Sequence, residues 1–165
     1  MIRYVDYDIV FQEVPGEVSL ALNISNCPHR CEGCHSPHLR ENIGNDLEKD
    51  LPDLLEKYKG MITCVLLLGT GNDSHALWNL VIDLWYKGVK SAVYTGDELN
   101  VLEPNSDELE EFASCYGFPN YLKTGAYKKE LGGLSSPSTN QRMYCWNPET
   151  KEYDDITYMF WRKPE

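Results

Sequence analysis

The apolar residues follow two periods along the chain, and the switches between them divide it into elements. Residues 17–25, EVSLALNIS, alternate and are rich in β-formers, which predicts a strand. Residues 46–60, DLEKDLPDLLEKYKG, set Leu47, Leu51, Leu54, Leu55 and Tyr58 on one helical face, with Gly60 as the stop and Pro52 as a point of kink or restart. Residues 62–69, ITCVLLLG, form a continuous apolar run of strand length, the pattern of a strand covered on both faces in a parallel sheet. Residues 73–88 return to helical spacing, with Ala76, Leu77, Leu80, Val81, Leu84 and Trp85 on one stripe, Asp73 or Ser74 as cap and Gly88 as terminator.

A further strand is expected over 90–96, KSAVYTG, then a short helix capped by Ser106 that carries Leu109, Phe112, Ala113 and Tyr116. YLKTGAYKK, 121–129, closes the series as a strand. From Gly132 the chain becomes loop-like, and residues 143–161 read as a hairpin turning at Asn147 to Thr150. Alternating strands and helices predict an α/β fold with βαβ crossovers, its mostly parallel sheet open or curled into a partial (β/α) barrel, with a C-terminal hairpin tail. Loops at the C-terminal ends of the strands are then expected to carry the site.

Length and charge narrow the function. A chain of 165 residues suits one domain spanning 1–165, and 11 Tyr and 4 Trp supply the aromatic surface of a folded globule. A net charge of -11 opposes binding to a phosphate backbone, so no nucleic-acid partner is expected. The opening MIRYVDYDIVFQEVPGEV lacks an apolar core behind a basic start, and no apolar run reaches membrane-spanning length; a cytoplasmic protein without a membrane partner is expected.

The chemistry concentrates in SNCPHRCEGCHSPHL, residues 25–39, where Cys27, Cys31 and Cys34 have the spacing C-x3-C-x2-C just past the first predicted strand. A structural zinc site closes a tetrahedron with four ligands, usually from two separated pairs; no second pair exists, although His29, His35 or His38 can supply a fourth donor. A disulfide leaves one of the three thiols over. An iron–sulfur cluster is a further reading beside zinc: three thiolates can hold three irons and leave the fourth open. Pro28 and Gly33 ease the tight turns such a loop needs.

CPHRCEGCHSP resembles the cluster loop of radical S-adenosylmethionine enzymes, and more narrowly that of the activating proteins of anaerobic (class III) ribonucleoside-triphosphate reductases. FQEVPGEVSLALNISNC before it and LGGLSSPSTNQRMY (131–144) near the end resemble the same family in order and separation, so the likeness covers most of the chain. The resemblance implies a partial barrel of the radical S-adenosylmethionine type and a [4Fe-4S] cluster on Cys27, Cys31 and Cys34. In such enzymes the open iron chelates S-adenosylmethionine, an electron breaks its sulfonium C5′ bond, and the 5′-deoxyadenosyl radical takes a hydrogen atom from a glycine of the partner. That partner is implied to be the large subunit of the reductase, and the electron source a low-potential donor such as flavodoxin. Gly33 and His35 are implied to contact the adenosyl part of the cofactor. Alternatives are an activase of another glycyl radical enzyme, a small-molecule radical enzyme, or a zinc-binding structural module.

One stretch departs from the family. Its second strand usually ends in Gly-Gly-Glu or Gly-Gly-Asp, which receives the methionine ammonium; here LLLGTGNDSHAL offers Gly69, Thr70, Gly71, Asn72 and Asp73. These residues supply acceptors and an approachable backbone, and equally a strand-to-helix turn with Asp73 as helix cap. Thr95, Gly96 and Asp97 end the next strand and can touch ribose or substrate, or simply form a turn. Cys64 reads as a core residue, Cys115 and Cys145 have no thiol near them in sequence, and Asn140 and Gln141 carry no role that chemistry assigns.

Overall fold

The computed structural model describes residues 1–28, 36–96 and 119–161. Eight strands form one sheet in the order β3-β1-β2-β4-β5-β6-β7-β8. In chain order these are β1 (Arg3–Val10), β2 (Ser19–Ile24), β3 (Asn45–Asp46), β4 (Cys64–Leu68), β5 (Lys90–Tyr94), β6 (Tyr121–Thr124), β7 (Arg142–Asn147) and β8 (Glu152–Asp155). Two α-helices, α1 (Leu47–Lys57) and α2 (Ser74–Tyr86), and two short 3-10 turns (Pro37–Arg40 and Thr157–Phe160) complete the described residues.

The expected partial (β/α) barrel with a mostly parallel sheet is overturned. β2, β4, β5 and β6 run parallel, but the four pairings outside them are antiparallel, and the sheet ends openly at β3 and β8 among the described residues. Connection length is one cause. Residues 11–18 between β1 and β2, and 148–151 between β7 and β8, are too short for the dozen or more residues of a parallel crossover, so the chain turns straight back. The strand expected over 121–129 stops at Thr124, because Gly125 takes φ +92° and turns the backbone out of line. β1 was not among the predicted elements, and the predicted helix carrying Leu109, Phe112, Ala113 and Tyr116 lies outside the described residues.

The helices formed where the 3.6-residue stripe lay. Asp46 caps α1, accepting from the Lys49 N–H, and Leu47, Leu51 and Leu54 are buried; Pro52 sits inside a continuous helix. α2 begins at Asp73, whose carboxylate accepts the Ala76 N–H at 3.0 Å, and ends where Gly88, at φ +72°, lets Val89 N–H close onto Leu84 O. Both pack on the face that presents Leu20, Leu22, Ile24, Val65, Leu67, Val93 and Leu122, which with the helix stripes makes the larger core. Each leucine fully buried there contributes about 1.5–3 kcal/mol.

Among the described residues, the opposite face is covered by a connection and by the C-terminal segment rather than by an α-helix. Ala21, Cys64, Leu66, Ala92 and Met143 meet Val14 of the β1–β2 connection and Ile156 of the C-terminal segment, with Leu134 and Phe160 alongside. No helix among the described residues is long and apolar enough to cross a membrane.

Candidate functional site

Strand alternation aligns the site. On the face opposite α1 and α2 the parallel strands stack the row Ala21, Leu66, Ala92 and Tyr121 in register, and one step toward the strand C-termini the row Asn23, Leu68, Tyr94 and Lys123. The second row lines a cleft of about 290 Å³, which Cys27, Ser36, Leu39, Gly69, Thr95, Gly96, Gly125 and Tyr127 complete. This is the C-terminal rim of the parallel strands, where ligands of open α/β sheets bind.

Cys27 enters the cleft because the root of the cysteine loop is held shut. Ser25 N–H donates to Arg3 O, and its hydroxyl to Ile43 O at 2.6 Å; Asn26 N–H donates to Glu41 O and Cys27 N–H to Leu39 O, both at 2.9 Å. Asn26 takes φ +61°, a left-handed turn that asparagine tolerates, and it swings the half-buried Cys27 onto the rim. Cys31, Cys34, Gly33 and His35 lie outside the described residues, as do His29 and Asp97; His38 is exposed in the 3-10 turn. Among the described residues no group of three His, Cys, Asp or Glu is placed to hold a metal ion, and two of the three cysteines are not among them.

The GTGND turn divides. Gly69 lines the cleft, at φ +118°, and its N–H donates to Tyr94 O at 3.0 Å; a Cβ there comes within 3.4 Å of Ile24 O. Gly71 packs behind it, and a Cβ on it meets Ile2 Cδ1 at 3.3 Å and Ser25 O at 3.5 Å. Thr70, Asn72 and Asp73 are not among the cleft-lining residues. Asp73 instead accepts from the Met1 ammonium at 2.6 Å as well as from Ala76 N–H, and these two partners hold its carboxyl below the usual carboxylate range.

Several lining residues escaped the sequence reading: Asn23, Tyr94, Lys123, Gly125 and Tyr127. Their signal was positional: Asn23, Tyr94 and Lys123 are the last or next-to-last residues of parallel strands, Gly125 follows one directly, and Tyr127 lies in the loop after β6. Lys123 Nζ donates to Thr95 O at 3.4 Å and Gly125 O at 3.2 Å and lies 5.7 Å from the centroid of the Tyr94 ring. A cation over an aromatic face is attracted by the ring quadrupole. The Tyr94 hydroxyl donates to Glu13 O, so its ring is fixed from both ends, and burial pushes its phenol pKa up.

The other rim of the parallel strands carries a buried acid. Glu17 Oε1 accepts from Lys90 Nζ at 2.8 Å and the Tyr121 hydroxyl at 2.9 Å, and Oε2 accepts from the Thr63 hydroxyl. Burial opposes the charge, but those three donors outweigh it and hold the carboxyl below its ordinary range. Cys64 is fully buried beneath it, its thiol pushed up to about 12 by burial, so it is inert packing. Compared with family models, curated proteins and solved structures, the chain matches none.

Proposed function

We propose that the protein is a radical S-adenosylmethionine activase, which installs the glycyl radical on an anaerobic ribonucleoside-triphosphate reductase. What carries the reading is that Cys27, the first residue of the C-x3-C-x2-C trio, lies on the wall of a cleft at the C-terminal rim of four parallel strands. The residues on that wall support the reading. A thiol stands at one edge, the backbones of Gly69, Gly96 and Gly125 carry no side chain to block approach, and Tyr94, Tyr127 and Lys123 offer ring faces and a cation.

Cys27, Cys31 and Cys34 hold the [4Fe-4S] cluster in this reading, and Gly33 and His35 contact the adenosyl group. Such a cluster, reduced by a low-potential donor such as flavodoxin, would supply one-electron chemistry for the reductive cleavage of S-adenosylmethionine. The protein's own task is to orient the cofactor and keep water out. Leu39 and Leu68 make part of the cleft apolar, and the bonds from Asn26 and Cys27 to Glu41 and Leu39 keep the loop root from opening. A glycine loop of the reductase entering the open side completes the seal.

The test is anaerobic reconstitution followed by iron and sulfide analysis, then reduction with S-adenosylmethionine and chromatography for 5′-deoxyadenosine. Incubation with the reductase is expected to yield a glycyl doublet in electron paramagnetic resonance. Stoichiometric zinc with no iron uptake reduces the trio to a structural staple. Deoxyadenosine without the doublet points to a different radical substrate.

A further inference from the structure

The loop from Gly125 to Gln141 is built on its own hydrogen bonds. Ser138 Oγ donates to Leu131 O at 2.8 Å, Thr139 Oγ1 to Gly132 O at 3.1 Å, and Gln141 N–H to Thr139 Oγ1 at 3.0 Å. Its two ends are tied side chain to backbone: Asn140 Nδ2 donates to Ala126 O at 3.1 Å and Gln141 Nε2 to Gly125 O at 3.2 Å. Gln141 is only 6% exposed. Gly125 has no room for a side chain, since a Cβ comes 3.2 Å from both Asn140 O and Gln141 Cα. The two segments therefore lie in direct backbone contact.

Gly125 O is also an acceptor for Lys123 Nζ. A carbonyl oxygen has two lone pairs, so it can take the amide of Gln141 and the ammonium of Lys123 together. Lysine loses side-chain entropy when immobilised, and a site that holds it in place beforehand spares the ligand that cost. With Gly125 O held by a buried amide, that carbonyl, Thr95 O and the Tyr94 ring are among the contacts that place the ammonium.

We propose that Gln141 is a positioning residue of the cleft: by fixing the Gly125 carbonyl it sets where the Lys123 ammonium stands, and so where the negatively charged end of the ligand is received. Asn140 supports it by holding the neighbouring Ala126 carbonyl. The identity of the ligand rests on the S-adenosylmethionine reading; the relay from Gln141 to Lys123 does not.

Two measurements separate these. On reconstituted protein, S-adenosylmethionine affinity by calorimetry is expected to fall about tenfold in Lys123→Met, as for loss of one charge-assisted bond, and similarly in Gln141→Met. The double variant is expected to lose little beyond either single one, because both remove the same contact. Without any ligand, acylation of Lys123 by an amine-reactive ester, followed by mass spectrometry, is expected to be several-fold faster in Gln141→Met. Equal acylation rates, or affinity losses that multiply, overturn the relay. A wild-type protein that ignores S-adenosylmethionine while Gln141→Met speeds Lys123 acylation overturns the cofactor reading and upholds the relay. Should Gln141→Met not fold, Gln141→Asn, an amide one methylene short, gives the same comparison.

Discussion

Asp73 shows how one carboxylate separates two readings of the same turn. Its side chain accepts the Ala76 N–H as the cap of α2 and the Met1 ammonium beside it. Asparagine caps a helix about as well as aspartate, whereas alanine does not. Asp73→Asn is therefore expected to cost less than about 0.5 kcal/mol, since the ion pair it removes is solvent-exposed. Asp73→Ala is expected to cost about 1 kcal/mol, measured by urea denaturation. Neither change is expected to alter S-adenosylmethionine affinity, because Asp73 does not line the cleft. An Asn variant of normal stability that no longer binds the cofactor makes the residue a ligand. The pH response has a definite sign. The folded carboxyl titrates below its ordinary value of 3.8, so the stabilisation is complete above that value and disappears as pH falls through the folded one.

At the scale of elements, α1 carries an internal conflict. Pro52 is the sixth residue of a helix that starts at Leu47; it has no N–H to give to the carbonyl of Glu48, and its ring crowds that carbonyl. Pro52→Ala restores one helical bond in a helix whose buried stripe is untouched. It is expected to raise stability by about 1–3 kcal/mol, read as a higher melting temperature. α1, α2, β2, β4 and β5 were all legible, because their periods are local: the stripe Leu47, Leu51, Leu54 and the run CVLLL speak for themselves. RYVDYDIV is rich in β-formers and alternates over Val5 to Ile9, so β1 carries the same local signal. The β7–β8 hairpin and the parallel centre of the sheet were legible as well; what the residues did not reveal is how the outer strands join that centre. That β1 returns antiparallel beside β2, and β7 beside β6, depends on contacts far apart in sequence, and these turned an expected barrel into an open mixed sheet. The site split the same way. Cys27 and Gly69 announced themselves by motif, whereas Lys123 and Gln141 gain meaning only where the strand rim and the returning loop bring them to one carbonyl.

Across the whole molecule, the parallel strands put the proposed binding cleft and a stabilising carboxylate on opposite rims. The C-terminal rim carries the cleft; the N-terminal rim carries Glu17, 6% exposed and bonded to Lys90, Tyr121 and Thr63. Those bonds span β4, β5, β6 and the turn before β2, so the carboxylate cross-ties the centre of the sheet. Glu17→Gln keeps the shape and removes the charge that three donors face. It is expected to cost about 1.5–3 kcal/mol at pH 7, the usual worth of hydrogen bonds to a charged group, toward the low end because the Lys90 side chain is half-exposed. The folded pKa of Glu17 lies below its ordinary value of 4.5, so wild-type stability is fully supported above that value and drains as pH falls through the folded one. Denaturation curves at pH 7 and pH 4 are expected to converge for wild type and variant as the acid side is approached. Cleft binding at pH 7 is expected to stay unchanged in Glu17→Gln and to drop in Lys123→Met, whose own stability stays near wild type. A Glu17→Gln protein that folds as firmly as wild type, or that loses ligand affinity while folded, contradicts the separation of the two rims.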